Sequence, residues 1–336
     1  MTPRCHLFPA RRAAAALGAA LLLWALPGPA AAASCEQVST CISQLQFAEL
    51  RSLREHAART LGERGDPAAY DVLVAALKTD EGEFVRVLSA QALGRLGLAR
   101  AVKPLAEALA GDARATVRQQ AADALGQLRS PDAMAPLSAA LAGDAATSVR
   151  VAAARALGVL GRSGAAPALG QALLADGRQE VRAAAADALG VLKAPAGLEP
   201  LRQAARQDAA AEVRTAAVRA LGVVPGDPAV ATLVEVLGQD AERNVRRVAA
   251  ETLGHRKARN ATAGLVQAIQ SDPAVEVRAA ATTALGRVGG DLARQALAYY
   301  AANAQFPTIR TAAVNALAEM PPPPASGQQP PPKTES

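Results

Sequence analysis

A Val-Arg pair stands at Val85-Arg86 and returns every 32 residues: Val117-Arg118, Val149-Arg150, Val181-Arg182, Val213-Arg214, Val245-Arg246 and Val277-Arg278, with Ile309-Arg310 as a last variant. A Leu-Gly pair keeps the same period from Leu61-Gly62 to Leu285-Gly286 and ends as Leu317-Ala318. No insertion breaks the series. A fixed period of this length restricts the chain to stacked supersecondary units, each too small to bury its apolar face alone.

The segment GDARATVRQQAADALGQL, Gly111 to Leu128, shows the unit most clearly. Val117, Ala121, Leu125 and Leu128 are spaced 4, 4 and 3 apart, which is one stripe of a helix. Ala101, Leu105, Ala108 and Leu109 form an earlier stripe, and Gly111-Asp112 interrupts the pattern between them as a turn does. Each unit is therefore expected to be a helical hairpin, with helix A over about 101–110 and helix B over about 115–128. The period predicts an all-α, α-α superhelix of about nine hairpins. Ala dominates the helix-facing positions, which permits close packing. Gly126 and its equivalents sit inside helix B, where Gly costs about 1 kcal/mol relative to Ala. Eight repetitions of that cost require a packing reason, and the expectation is a close crossing with the next helix A.

The strictly periodic charges are Asp80, Asp112, Asp144, Asp176, Asp208, Asp240 and Asp272, each six residues before Arg86, Arg118, Arg150, Arg182, Arg214, Arg246 and Arg278. Each Asp falls in the A–B turn. There it can cap helix B and accept from the Arg of its own or a neighbouring repeat. These residues are expected to form a structural ladder rather than a site.

The spacing Pro104, Asp112, Val117, Arg118 recurs at Pro136, Asp144, Val149, Arg150 and at Pro200, Asp208, Val213, Arg214. This pattern resembles the HEAT repeat family, in particular the short HEAT-like repeats of the phycobilisome lyase type, over about Leu53 to Met320. The resemblance implies B helices on a concave face and a scaffold for protein partners.

The two ends differ from the repeats. Met1 to Ala33 has a basic start (Arg4, Arg11, Arg12), an apolar run from Ala13 to Leu26 and small residues before the mature chain. This reads as a secretory signal over 1–33, because the run is shorter than the roughly 20 residues that span a membrane. A periplasmic or secreted protein is expected. Removing three Arg from a chain of net charge +6 leaves about +3, so bulk charge does not point to nucleic acid. Cys35 and Cys41 remain after cleavage, and in an exported chain they are expected to form a disulfide. Lipidation of Cys35, which would tether the chain to a membrane, is the alternative. The solenoid is expected over 34–320, and Pro321 to Ser336 reads as a Pro-rich disordered tail.

No catalytic constellation is evident. His56 and His255 lie far apart in the series, so no metal site is expected, and no cofactor. The deoxyhypusine hydroxylases, which are also HEAT-like, bind iron through His-Glu pairs, and none occurs here. Between Phe84 and Tyr299 there is no aromatic residue, although stacking on bases needs them. What varies between repeats is a row five residues after each Arg: Arg59, Gln91, Asp123, Arg155, Asp187, Arg219 and Glu251, then Thr283 and Asn315. Its sign alternates from Asp123 to Glu251. An inter-repeat salt-bridge ladder is favoured over a mixed-charge binding stripe, since surface ion pairs are common and contribute little. The expected function is a monomeric, non-enzymatic protein-binding scaffold in the cell envelope. The alternatives are a transfer enzyme of the bilin-lyase type and a structural lipoprotein held through Cys35.

Overall fold

The computed structural model describes residues 35–321. The signal reading over 1–33 and all of the Pro-rich tail but its first residue, Pro321, lie outside the described residues. The described chain contains eighteen α-helices and no strand. They run in order as α1 (Val38–Phe47), α2 (Arg51–Arg64), α3 (Tyr70–Thr79), α4 (Glu83–Leu96), α5 (Val102–Gly111) and α6 (Ala115–Leu128). Next come α7 (Met134–Gly143), α8 (Thr147–Leu160), α9 (Ala166–Ala175), α10 (Gln179–Leu192), α11 (Leu198–Gln207) and α12 (Ala211–Leu221). The last six are α13 (Asp227–Gln239), α14 (Arg243–His255), α15 (Thr262–Ser271), α16 (Val275–Val288), α17 (Asp291–Asn303) and α18 (Pro307–Glu319). Odd-numbered helices are the A helices and even-numbered ones the B helices. Both stripes point inward: Leu105, Leu109, Val117, Ala121 and Leu125 are buried, and so are their counterparts in the other repeats, apart from Leu53 in the first hairpin and Ala301 and Leu317 in the last, which are partly buried. One continuous apolar core runs the length of the stack.

The periodic glycines do not face the next helix A, as their position within helix B suggested. Each faces the next helix B. A Cβ placed on Gly126 would lie 2.9 Å from the Cα of Ala156 in α8, and one on Gly254 would lie 2.7 Å from the Cα of Ala284 in α16. The same contact joins Gly62 to Ala92, Gly94 to Ala124, Gly158 to Ala188, Gly190 to Ala220 and Gly286 to Ala316. Successive B helices therefore touch at the backbone, whereas successive A helices meet more sparingly. The tighter spacing bends the stack so that the B helices form its inner side.

The junction between α12 and α14 is irregular. Thr252 replaces the usual Ala opposite Gly222, and a Cβ there would lie 2.5 Å from the Thr methyl. Here α12 stops at Leu221, ahead of Pro225, and Gly226 takes φ 114° at the entrance to α13. Asp227 thus lies inside α13 rather than before it. Arg256 donates to the carbonyls of Leu221 (3.0 Å) and Gly226 (2.9 Å), holding the shortened end. Asp66 accepts from the Ala68 N–H ahead of α3, whereas Ser130 makes no such side-chain cap.

The Arg–Asp ladder links neighbours. Arg86 bonds Asp112 of the next repeat through Nε (2.7 Å) and Nη2 (3.0 Å), while Nη1 donates to the carbonyl of Asp80 in its own repeat (2.9 Å). Arg118–Asp144, Arg150–Asp176, Arg182–Asp208, Arg214–Asp240 and Arg246–Asp272 repeat the bidentate pair. The Asp does not cap the second or third residue of helix B. It accepts from the N–H two residues on, as Asp112 does from Arg114 at 2.8 Å, and so shapes the turn.

Two members differ from expectation. Arg54, at the same register one period before Arg86, begins the ladder by pairing with Asp80 at 2.7 Å. Arg278 is not in it, because Ala304 replaces the Asp it would meet. Its Nε donates to the Ile269 carbonyl (2.8 Å), and its guanidinium lies 4.8 Å from the centre of the Phe306 ring, a cation–π contact in place of an ion pair.

The first hairpin carries Cys35 ahead of α1 and Cys41 inside it. The structure joins their side chains, with Cα atoms 5.0 Å apart, and Cys41 is fully buried at the register of Leu73 and Leu105.

Two outcomes follow from this packing. Gly254→Ala should lower stability by about 1–3 kcal/mol through overpacking, although Ala is the better helix former by about 1 kcal/mol. Gly111→Ala, which faces open space, should be neutral or stabilising; thermal melts of both variants check the contrast. The ladder predicts an acid response as well. Asp144 is held below the usual carboxylate value chiefly by the Arg118 hydrogen bond. At Asp112, Asp176 and Asp208 desolvation is the largest single influence and pushes upward, but the Arg and backbone hydrogen bonds together outweigh it. A depressed pKa contributes stability that is present above the unfolded value and lost as pH falls through the folded one. Melting temperature should therefore drop below about pH 4. Asp144→Ala, which strands the largely buried Arg118, should cost about 3 kcal/mol and weaken that acid dependence.

Candidate binding face of the B helices

The B helices expose one face each, and its residues recur at the repeat period. Arg59, Arg155, Asp187 and Arg219 are exposed, while Gln91, Asp123 and Glu251 are half-buried. The salt-bridge ladder favoured for this row does not form. Among the described residues no ion pair joins these side chains from one repeat to the next. Glu251 instead pairs with Arg247 on its own helix.

Electrostatics reflects this lack of partners. Desolvation is the main cause of a raised Asp123 pKa, with the charge of Arg155 opposing it. Desolvation also raises Asp187, against Arg219 and Arg155. The Asp187 side chain is open to solvent, yet its carboxyl still sits against the neighbouring helices of the inner face. A raised carboxyl pKa is a cost of folding when the group is ionised, and that cost is relieved as pH falls. These two aspartates are thus arranged at the expense of stability, the reverse of the ladder aspartates.

One residue group on this face was not singled out from sequence. Val159, Val191 and Val223 follow Arg155, Asp187 and Arg219 by four residues; Val159 and Val191 lie one turn along the same helix face, and Val223 lies in the turn just beyond α12. All three are about half exposed. Their counterparts are polar or charged on both sides: Glu63, Arg95 and Gln127 toward the N-terminus, His255, Arg287 and Glu319 toward the C-terminus. Beside the valines the floor is small, made of Ala152, Ala184 and Ala216. The face therefore has an apolar centre over α8, α10 and the turn that follows α12, a charged row along one side and polar ends. That is the layout of a protein interface, with a desolvated centre and a wet rim. The signal was present in the sequence, as Gly-Val at 158–159, 190–191 and 222–223, but three valines beside a structural Gly are indistinguishable from core positions until the packing shows them exposed.

The remaining chemistry is sparse. His56 and His255 belong to repeats far apart, and His255 faces Arg287, with Nε2 and Nη1 3.2 Å apart. Among the described residues no three His, Cys, Asp or Glu side chains cluster as metal ligands would.

Comparison with known proteins agrees with this architecture. No characterised protein matches by sequence. Among solved structures, YibA of Escherichia coli is 21% identical, with 81% of this chain and 100% of that one covered and a TM-score of 0.51. Importin beta is 16% identical over 84% of this chain and 47% of its own, with a TM-score of 0.54. Kap121p bound to Pho4p is 14% identical over 83% of this chain and 36% of its own, with a TM-score of 0.59. These chains share the fold, and the present one spans less than half of importin beta and of Kap121p. The HEAT repeat model matches residues 9–94, 38–126, 85–158, 102–187, 134–222, 165–253 and 230–318. With that model matched across nearly all of the helical stack, the chain belongs to the HEAT repeat family.

Proposed function

We propose that this protein is a non-enzymatic scaffold of the cell envelope that holds a protein partner on the inner face of its B helices. The observation that carries the reading is the row Val159, Val191, Val223. Exposed apolar side chains in three successive repeats add nothing to folding, and a ring of polar counterparts confines them to the middle of the surface. The unpaired Asp187 beside them supports the same reading, because a partner's cation would relieve its desolvation. The fold analogues support only the architecture. The protein acts as a monomer. Head-to-tail stacking of two copies would set Ala318, at the register of Gly286, against Thr60, at the register of Ala92. That pair lacks the glycine on which every internal B–B crossing depends.

A photo-crosslinking residue at position 191, in the chain produced in its own cells, should capture a defined partner that the same probe at Gln171 on the outer side does not. Val191→Glu should reduce partner recovery about tenfold, as removal of a central anchor does, with an unchanged melting temperature. Equal capture at both positions, or full recovery by Val191→Glu, would overturn the reading; a partner carrying a linked pigment would point to the lyase-type alternative.

Export is the second part of the proposal, resting on residues 1–33. Mass spectrometry of the mature N-terminal peptide should find a chain that starts just before Cys35, with neither Cys35 nor Cys41 alkylated until reductant is added. A lipid on Cys35 would replace the disulfide and favour the tethered alternative. An intact residue 1 on protein recovered from the cytoplasm would remove the export claim.

A further inference from the structure

The A side of the first two hairpins holds an enlarged form of a groove that recurs, at the same registers, between α13 and α15. It lies between α1 and α3 and has a volume of about 690 Å³, within the roughly 300–1,000 Å³ usual for ligand clefts. Ile42, Val72 and Ala75 contribute to its floor, and Phe47 closes one end. Phe47 is 73% exposed. Its register in the later repeats carries only small or polar residues, from Thr79, Gly111 and Gly143 to Asn303. Leu50 in the same turn is 64% exposed, and Phe84, just beyond the next A–B turn, is 58% exposed. Those turns touch: a Cβ on Gly82 would lie 3.0 Å from the Arg51 side chain. A terminal repeat needs a polar outer surface for solubility, and this edge is the opposite.

The charge around the groove is net negative, with Asp71, Asp80 and Glu81 against the single cation Arg54 in its lining. Asp71 and Glu81 stand on its rim, both exposed. The cation in the lining, Arg54, holds Asp80 by two hydrogen bonds, at 2.7 and 3.2 Å, and also meets Glu81 at 3.5 Å, which leaves Asp71 without an ion pair among the described residues. Lys78, on the same helix as Asp71, is paired with Glu107 at 2.8 Å. Apolar side chains beside a net negative rim select an occupant by complementarity. An anionic membrane surface is disfavoured by the same carboxylates.

We propose that this groove is a second docking site, separate from the inner B face, for an extended segment of a partner protein that carries large apolar side chains flanked by Lys or Arg. The lining residues of α3 run from Asp71 to Thr79, about 12 Å along the helix, enough for about four extended residues. The occupant's apolar side chains lie on Val72 and Ala75 against Phe47, and its cations meet Asp71 and Glu81.

The test is calorimetric titration of the full mature protein with two end-blocked pentapeptides, KLFLK and its charge-reversed counterpart ELFLE. KLFLK should bind at least about tenfold more tightly, as charge complementarity at a rim requires. The double substitution Asp71→Lys with Glu81→Lys should reverse the preference. Ala75→Trp, at an exposed position of α3, fills the groove without touching the core and should abolish binding of both peptides. Val191→Glu on the B face should leave binding unchanged, which separates this site from the scaffold reading. Melting temperatures of the variants confirm that they fold. Equal affinity for the two peptides, no binding of either, or binding that survives Ala75→Trp would overturn the proposal.

Discussion

Everything in this molecule depends on the missing Cβ of one glycine per repeat. Where Gly126 meets Ala156, and at the equivalent crossings, two helix backbones come close enough that a single methyl group would lie under 3.2 Å from its neighbour. Helix propensity opposes Gly at such a position, so the crossing must return more than it costs. It does so through the dispersion contacts of two closely apposed backbones and through the regularity it imposes. Every B helix is set at one distance from the last, and the curvature of the stack follows from that distance. The irregular junction is where Thr252 replaces the usual Ala: there α12 ends at Leu221, ahead of Pro225, and Arg256 donates to the Leu221 carbonyl.

The Arg–Asp ladder works on the same interface from its edge. Each Arg bridges a carbonyl of its own turn and a carboxylate of the next turn, and these side chains are largely removed from water. A buried bidentate pair adds little net energy over an apolar contact but a large penalty for misregister. Its contribution here is therefore to specify which residue of one repeat faces which of the next. The ladder stops where its partner stops: with Ala304 in the Asp position, Arg278 turns to Phe306. The last hairpin thereby closes the stack with an aromatic residue.

Once the repeating residues are assigned to packing, function is left to positions that vary. The two aspartate classes make the division concrete. Ladder aspartates such as Asp144 are stabilised in their charged form, whereas Asp123 and Asp187 on the inner face are destabilised in theirs. The three valines beside Asp187 and the exposed Phe47 near the N-terminus depart from folding economy in the same way. Residues that cost stability or solubility, gathered on an inner face and in an end groove, are the basis on which binding is proposed there.

The sequence by itself determined the hairpin, the number of repeats, the helix boundaries to within a residue or two and the periodic Asp and Arg. These follow from local rules: helix stripes, turn residues and a fixed period are properties of neighbouring residues. It did not determine which helix each glycine would meet, that each Arg would reach forward to the next repeat's Asp, or that the charged row of Asp123 to Glu251 would stay unpaired between repeats. Nor did it distinguish Val191 from a core valine or show that Phe47 borders a cleft. Those outcomes depend on the distance and rotation between repeats, and these are set by backbone contact between residues 30 positions apart. Only the tertiary structure holds that geometry, because periodicity fixes what recurs along the chain and leaves open which face each recurrence turns to its neighbour.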